Sequence, residues 1–161
     1  MLILALIVES RFRRQGSTVL FTPGDEIWRR IAMELEDATK SIDIAVYDFD
    51  NEKFASELIK AKGRGVEVHL IIDHAIAQKH FSDRRSPLSM LRDSGIDIKT
   101  KAEGRGVMHH KFAIFDGKLV LTGSRNWTFA DEKNSYENVL ITSDSDTVKR
   151  YKDEFERIWR E

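Results

Sequence analysis

The stretch from Ser41 to Asp73 leaves few ways for this chain to fold. Ser41 to Phe49 (SIDIAVYDF) alternates and then turns apolar, the pattern of a buried strand. Asn51 to Lys62 gathers Phe54, Ala55, Leu58 and Ile59 on one helical face and ends in Lys60, Lys62 and Gly63. Val66 to Asp73 (VEVHLIID) is again a strand. A helix joining two strands by short connections makes a crossover and sets those strands parallel. Upstream, Thr18 to Thr22 reads as a strand closed by Pro23-Gly24. Asp25 to Thr39 reads as a helix built on Ile27, Ile31, Met33, Leu35 and Ala38. This order predicts an α/β domain, with a mixed, largely parallel sheet flanked by helices on both faces.

Downstream, His74 to Ser86 is polar and basic and reads as a long loop. Pro87 to Ser94 is a short helix stopped by Gly95, and Ile96 to Thr100 is a strand. Two strands follow around Asp116-Gly117, then a loop from Thr128 to Tyr136, a strand over Asn138 to Thr142 and a helix from Ser143 to Trp159. At 161 residues the chain is the size of one domain. We assign 18–161 to that domain and 1–17 to a lead-in or edge strand. Met1 to Val8 (MLILALIV) is too short to span a bilayer and lacks the basic start and cleavage pattern of a signal peptide. It reads as an edge strand or packing tail, with the stump of a longer targeting segment as the alternative; Arg11, Arg13 and Arg14 follow it. The sequence sets no compartment.

The absence of cysteine removes disulfides, zinc–thiolate sites and thiol nucleophiles. A net charge of −1 leaves only local basic patches to meet a polyanion. Lys79, Arg84, Arg85, Lys99, Lys101 and Arg105 are the candidates for such a groove, against the plainer reading of solvated loop charges.

The chemistry concentrates in Val107 to Asn126 (VMHHKFAIFDGKLVLTGSRN). Asp116-Gly117 between alternating runs signals a two-residue hairpin. With that turn Phe115 faces Lys118 and Lys111 faces Thr122. One face then collects His109, Lys111, Thr122, Ser124 and Asn126, and the other Met108, His110, Phe112, Ile114, Leu119 and Leu121. The polar face holds no carboxylate and so makes a poor divalent-metal site. An ammonium with hydroxyl and amide donors suits phosphate oxygens, and an imidazole among them can attack phosphorus or move a proton.

His109 and Lys111 followed by Asp116 read H-x-K-x4-D, and Gly123-Ser124-Arg125-Asn126 reads G-S-x-N. Together they resemble the HKD signature of the phospholipase D superfamily, closest in pattern to its small single-motif Nuc-type and Zucchini-like members. Ala45-Val46-Tyr47, Gly65-Val66-Glu67-Val68 and Glu137-Asn138-Val139 extend the resemblance over Thr18 to Trp159. It implies a histidine nucleophile at His109, phosphate-binding residues at Lys111, Ser124 and Asn126, a structural aspartate at Asp116, and at Glu137 an acid that orients the histidine.

In-line displacement wants a nucleophile on one side of phosphorus and an acid on the other. His110 points away, and His69, His74 and His80 lack a donor cluster, so a two-fold homodimer sharing one site is expected. No cofactor is expected. Trp127 and Phe129 read as groove lining or packing, and Asp48 and Asp73, at strand ends, as caps or ion-pair partners as readily as site residues. The function so implied is a metal-independent endonuclease cleaving DNA or RNA. A phospholipid phosphodiesterase at a membrane and an idle nucleic-acid-binding module are the alternatives.

Overall fold

The computed structural model describes residues 16–104, 106–129 and 135–161. The Met1 to Val8 run, the arginines after it and Arg105 lie outside the described residues. Twelve elements follow in order. They are β1 (Ser17–Phe21), α1 (Ile27–Asp37), β2 (Ser41–Val46), α2 (Glu52–Gly63), β3 (Glu67–Asp73) and α3 (His74–Phe81). Then come α4 (Pro87–Asp93), β4 (Asp97–Lys101), β5 (Lys111–Phe115), β6 (Leu119–Gly123), β7 (Asn138–Thr142) and α5 (Ser145–Arg160).

The strands form one seven-stranded mixed sheet in the order β1-β7-β6-β5-β2-β3-β4. The two crossovers give parallel pairs β2–β3 and β3–β4, as the helix-length connections require. The other four pairs are antiparallel, a larger share than the element order implies. The reason lies in β5, β6 and β7, which run as a meander beside β2, while β1 crosses to the far edge and pairs with β7.

Strand alternation divides the core. Ala113 and Phe115 of β5 pack with Ile31 and Leu35 of α1, Phe54 and Leu58 of α2 and Leu88 and Leu91 of α4. Phe112 and Ile114 pack on the other face with Val148, Phe155 and Ile158 of α5. Helix starts follow from side-chain chemistry. Asn51 Oδ1 accepts the Lys53 and Phe54 N–H groups, and Ser86 caps α4 with Pro87 in its first turn. Asp144 accepts the Thr147 N–H at 2.9 Å to start α5.

Two expectations are corrected. His74 to Phe81 is a helix, not part of a loop, because Asp73 caps it and its alanines favour helix where apolar periodicity is weak. The hairpin turn holds an extra residue: Lys118 N–H bonds to Phe115 O at 2.9 Å, but Phe115 pairs with Leu119. Every facing pair is displaced by one, so Phe112 faces Thr122. That moves Thr122 to the α5 side, where it accepts from Tyr151 Oη at 3.2 Å, and moves Leu119 and Leu121 to the opposite core.

Candidate active site

Register brings the candidate residues to one end of the sheet. Thr100, Ile72, Val46 and Lys111 stand in a row across β4, β3, β2 and β5. Gly123 pairs with Val139 at the same end of β6 and β7. The chain segments leaving or entering those strands therefore meet above one edge.

His109 is exposed, two residues before β5. Its ring lies 4.8 Å from that of Tyr47, centroid to centroid, just past the end of β2. Lys111 is half-buried; its Nζ donates to the His109 carbonyl at 3.0 Å and stands 5.4 Å from the centre of the Tyr47 ring. One aromatic ring thus contacts both residues. His110 turns to the other side, as expected from alternation, and meets Phe112 and Glu154, the latter at 3.4 Å. Arg157 first, and His110 after it, hold the Glu154 carboxyl below the usual range against the effect of burial.

Ser124 follows the close approach of β6 to β7. A Cβ added at Gly123 would sit 1.9 Å from Asn138 O, so only glycine fits there. Ser124 N–H donates to that same carbonyl at 3.1 Å. Its Oγ accepts the Asn138 N–H at 3.1 Å and donates to the Glu137 carboxylate. Glu137 is tied in turn to the residue after β1, its N–H donating to Thr22 Oγ1 at 3.0 Å. Among the described residues no hydrogen bond joins Glu137 to His109. Asn126 is half-buried, and its Oδ1 is sealed from solvent without a hydrogen-bond partner among the described residues.

Trp127 resolves to packing: it is buried against Phe49 and Phe54, and its carbonyl accepts the N–H groups of Asp50 and Asn51. Phe129 is exposed, with its N–H held by Asp50 Oδ1 at 2.7 Å. Asp48 pairs with His80 at 2.7 Å. That hydrogen bond, opposed by burial, holds the Asp48 carboxyl below its usual range. The pair brings the end of α3, with exposed Lys79, beside this end of the sheet. Arg84 and Arg85 are exposed in the turn before α4. Lys101 lines, with Val107, Met108, His109 and His110, an open depression of about 490 Å³.

Asp116 lies at the opposite end of β5. Its carboxylate accepts the N–H groups of Thr39 (3.0 Å), Lys40 (2.7 Å) and Ser41 (3.1 Å) and the Thr39 hydroxyl (3.0 Å). Burial pushes this carboxyl up, and the Lys40, Ser41 and Thr39 hydrogen bonds together outweigh it and hold it below its usual range. The residue staples the hairpin to the start of β2 and does not face the depression. Tyr47 and Gly123 stand in the sequence pattern, but the contact of the Tyr47 ring with His109 and the backbone clash that demands Gly123 depend on neighbours distant in sequence.

Comparison with known proteins places this geometry. Residues 31–159 match a family model described as "Cardiolipin synthase, PLD-like domain". The chain is 36% identical over 137 residues to a mitochondrial cardiolipin hydrolase of Xenopus laevis, a match covering 85% of this chain and 63% of that relative. It is 32% identical over 142 residues to a phospholipase D of Rickettsia conorii, covering 88% and 68% of the two. Its fold superposes on that of Nuc from Salmonella typhimurium, a phospholipase D family member, with a TM-score of 0.78 at 24% identity, covering 90% of this chain and 94% of Nuc. The chain thus spans just under two thirds of the Xenopus relative's length. Among the described residues no helix is long and apolar enough to cross a membrane.

Proposed function

This chain belongs to the family of phospholipase D-like domains, and on that footing we propose that it is a phosphodiesterase that cleaves nucleic acid through a phosphohistidine on His109. The observation that carries the reading is that the His109 imidazole and the Lys111 ammonium share the Tyr47 ring, at the sheet end where Ser124 follows β6. His109 opens there onto the depression shared with Lys101. A neutral His109 nitrogen attacks phosphorus, the P–N bond forms, and the P–O bond to the leaving alcohol breaks. Lys111, Ser124 and Asn126 take up the charge on the equatorial oxygens, so the proposed reaction needs no metal. The leaving oxygen takes a proton from an acid opposite, supplied by His109 of a second copy in a homodimer. That group then removes a proton from water, which attacks phosphorus and frees the first histidine. Glu137 is assigned an orienting role, its carboxylate held at the sheet end by Ser124. Lys79, Arg84, Arg85 and Lys101 are assigned to the path of the substrate backbone, which such a groove reads by charge and not by sequence.

A phospholipid phosphodiester is the second reading. It is favoured by exposed Val107, Phe129 and Tyr136 around the site and by the cardiolipin hydrolase relatives. The test is release of label from single- and double-stranded DNA and RNA, and headgroup release from cardiolipin vesicles, all in EDTA. Wild type is compared with His109→Ala. Cleavage of nucleic acid by wild type alone is the expected result. Cleavage of vesicles alone moves the substrate to lipid, and equal activity in His109→Ala overturns the mechanism.

A further inference from the structure

Asp73 ends β3 and is 3% exposed. Its two carboxylate oxygens serve different parts of the fold. Oδ1 accepts the N–H groups of Ala75 (3.0 Å) and Ile76 (3.2 Å) and so caps α3. Oδ2 accepts the N–H of Met108 at 3.1 Å. This second bond is long-range. The ladder pairing of β2 with β3 and β5 ends at Val46, so the chain approaching β5 passes above β2 and reaches β3.

A helix cap alone needs one acceptor, and serine, threonine or asparagine would supply it. A buried carboxylate costs more in desolvation, and what it adds is a second acceptor. Here that acceptor is spent on the residue before His109. The Met108 side chain is itself buried beneath α5, and Lys111 begins the β5 ladder. Only His109 and His110 lie between these anchors. A ring on an exposed segment would otherwise sweep through many positions, and the backbone bond removes that freedom where attack needs it.

We propose that Asp73 is a positioning residue for the His109 nucleophile, acting through the Met108 N–H while it caps α3. The proposal rests on the functional reading above. It assigns to Asp73 no contact with substrate.

Asp73→Asn and Asp73→Ser both keep an acceptor for α3 and both remove the acceptor for Met108. Each is compared with wild type for turnover of bis(4-nitrophenyl) phosphate, for thermal unfolding, and for the ring resonances of His109, identified by their loss in His109→Ala. The expected result is kcat lowered roughly 10- to 100-fold in folded protein, with KM within about twofold. The His109 resonances shift or broaden, while those of His69, at the other end of the sheet, stay in place. Unchanged kcat in a less stable protein overturns the proposal, as does a raised KM with kcat intact. If wild type turns over no phosphodiester, the functional reading fails; the His109 resonances then decide the positioning role alone, and unmoved resonances refute it.

Discussion

The aspartate of the H-x-K-x4-D pattern is the sharpest test of how this site is divided, because its side-chain hydrogen bonds all lie at the sheet end away from His109. Asp116 lies seven residues from His109, roughly 23 Å of extended chain. Replacing it with alanine strips acceptors from the N–H groups of Thr39, Lys40 and Ser41. These bonds are near the surface, so water recovers part of each, and the loss is about 1 kcal/mol apiece. Asp116 also holds φ at 54°, a left-handed conformation that alanine tolerates less well, which adds about 1 kcal/mol. The total is roughly 3–4 kcal/mol, or a fall in Tm of roughly 6–16 °C for a domain of this size. Asp116→Gly relieves the backbone part and should recover about 1 kcal/mol relative to alanine. Asp116→Asn keeps an acceptor and tolerates the conformation, so it should cost about a third as much as alanine.

Urea unfolding followed by circular dichroism, beside kcat measured well below each variant's Tm, separates the two roles. The folded carboxyl lies below its usual range, so its stabilisation is present above about pH 4 and is lost as pH falls through the folded value. The gap between wild type and Asp116→Ala should therefore narrow toward pH 3. A Tm within 2 °C or so of wild type in Asp116→Ala would refute the staple. A tenfold or greater loss of kcat in folded protein would refute its separation from the chemistry.

Two further outcomes follow from the geometry. Gly123→Ala must push β7 away from a Cβ that would sit 1.9 Å from Asn138 O, so it should cost about 3 kcal/mol and disrupt Ser124 together with Glu137. Denaturation within experimental error of wild type would sink that account. The Asp43 hydrogen bond raises the pKa of His69 despite partial burial, so its contribution is full below the unfolded value and fades as pH rises through the folded one. Asp43→Asn should accordingly destabilise more at pH 6 than at pH 9, and equal losses in urea titrations at both pH values would contradict it.

The crossover units were legible because amphipathic helices and apolar strands announce themselves within a dozen residues. The parallel pairs β2–β3 and β3–β4, the α2 helix and α5 all follow from local pattern, whereas the antiparallel majority comes from how β5, β6 and β7 meander beside β2. The failures were of two physical kinds. The α3 helix carries too little apolar periodicity to be seen, and its cap doubles as the last residue of a strand. The hairpin was misread by one residue because Asp116-Gly117 suits a two-residue turn, and nothing local shows that Lys118 is left outside the ladder. One slipped residue then carried Thr122, Leu119 and Leu121 to the wrong faces. His109 and Lys111 precede the turn, so the slip leaves their shared contact with Tyr47 untouched. Tyr47 and Asp73 touch the site only through tertiary contact, which no spacing within the motif encodes.

The spacing itself has a mechanical explanation. Lys111 opens β5, the four unspecified residues are the rest of that strand, and Asp116 begins the turn. Gly123, seven residues on, closes β6 on the return. Both ends of β5 are pinned. Lys111 stands opposite Val46, and the Asp116 N–H donates to Ser41 O at 2.8 Å. An inserted residue would shift one anchor by about 3.4 Å and turn the side chains beyond it to the opposite face. Either His109 would leave the Tyr47 ring or Asp116 would leave the start of β2. The spacing therefore measures the β5 strand. The aspartate fixes one end of that strand, while His109 and Lys111 stand at the other.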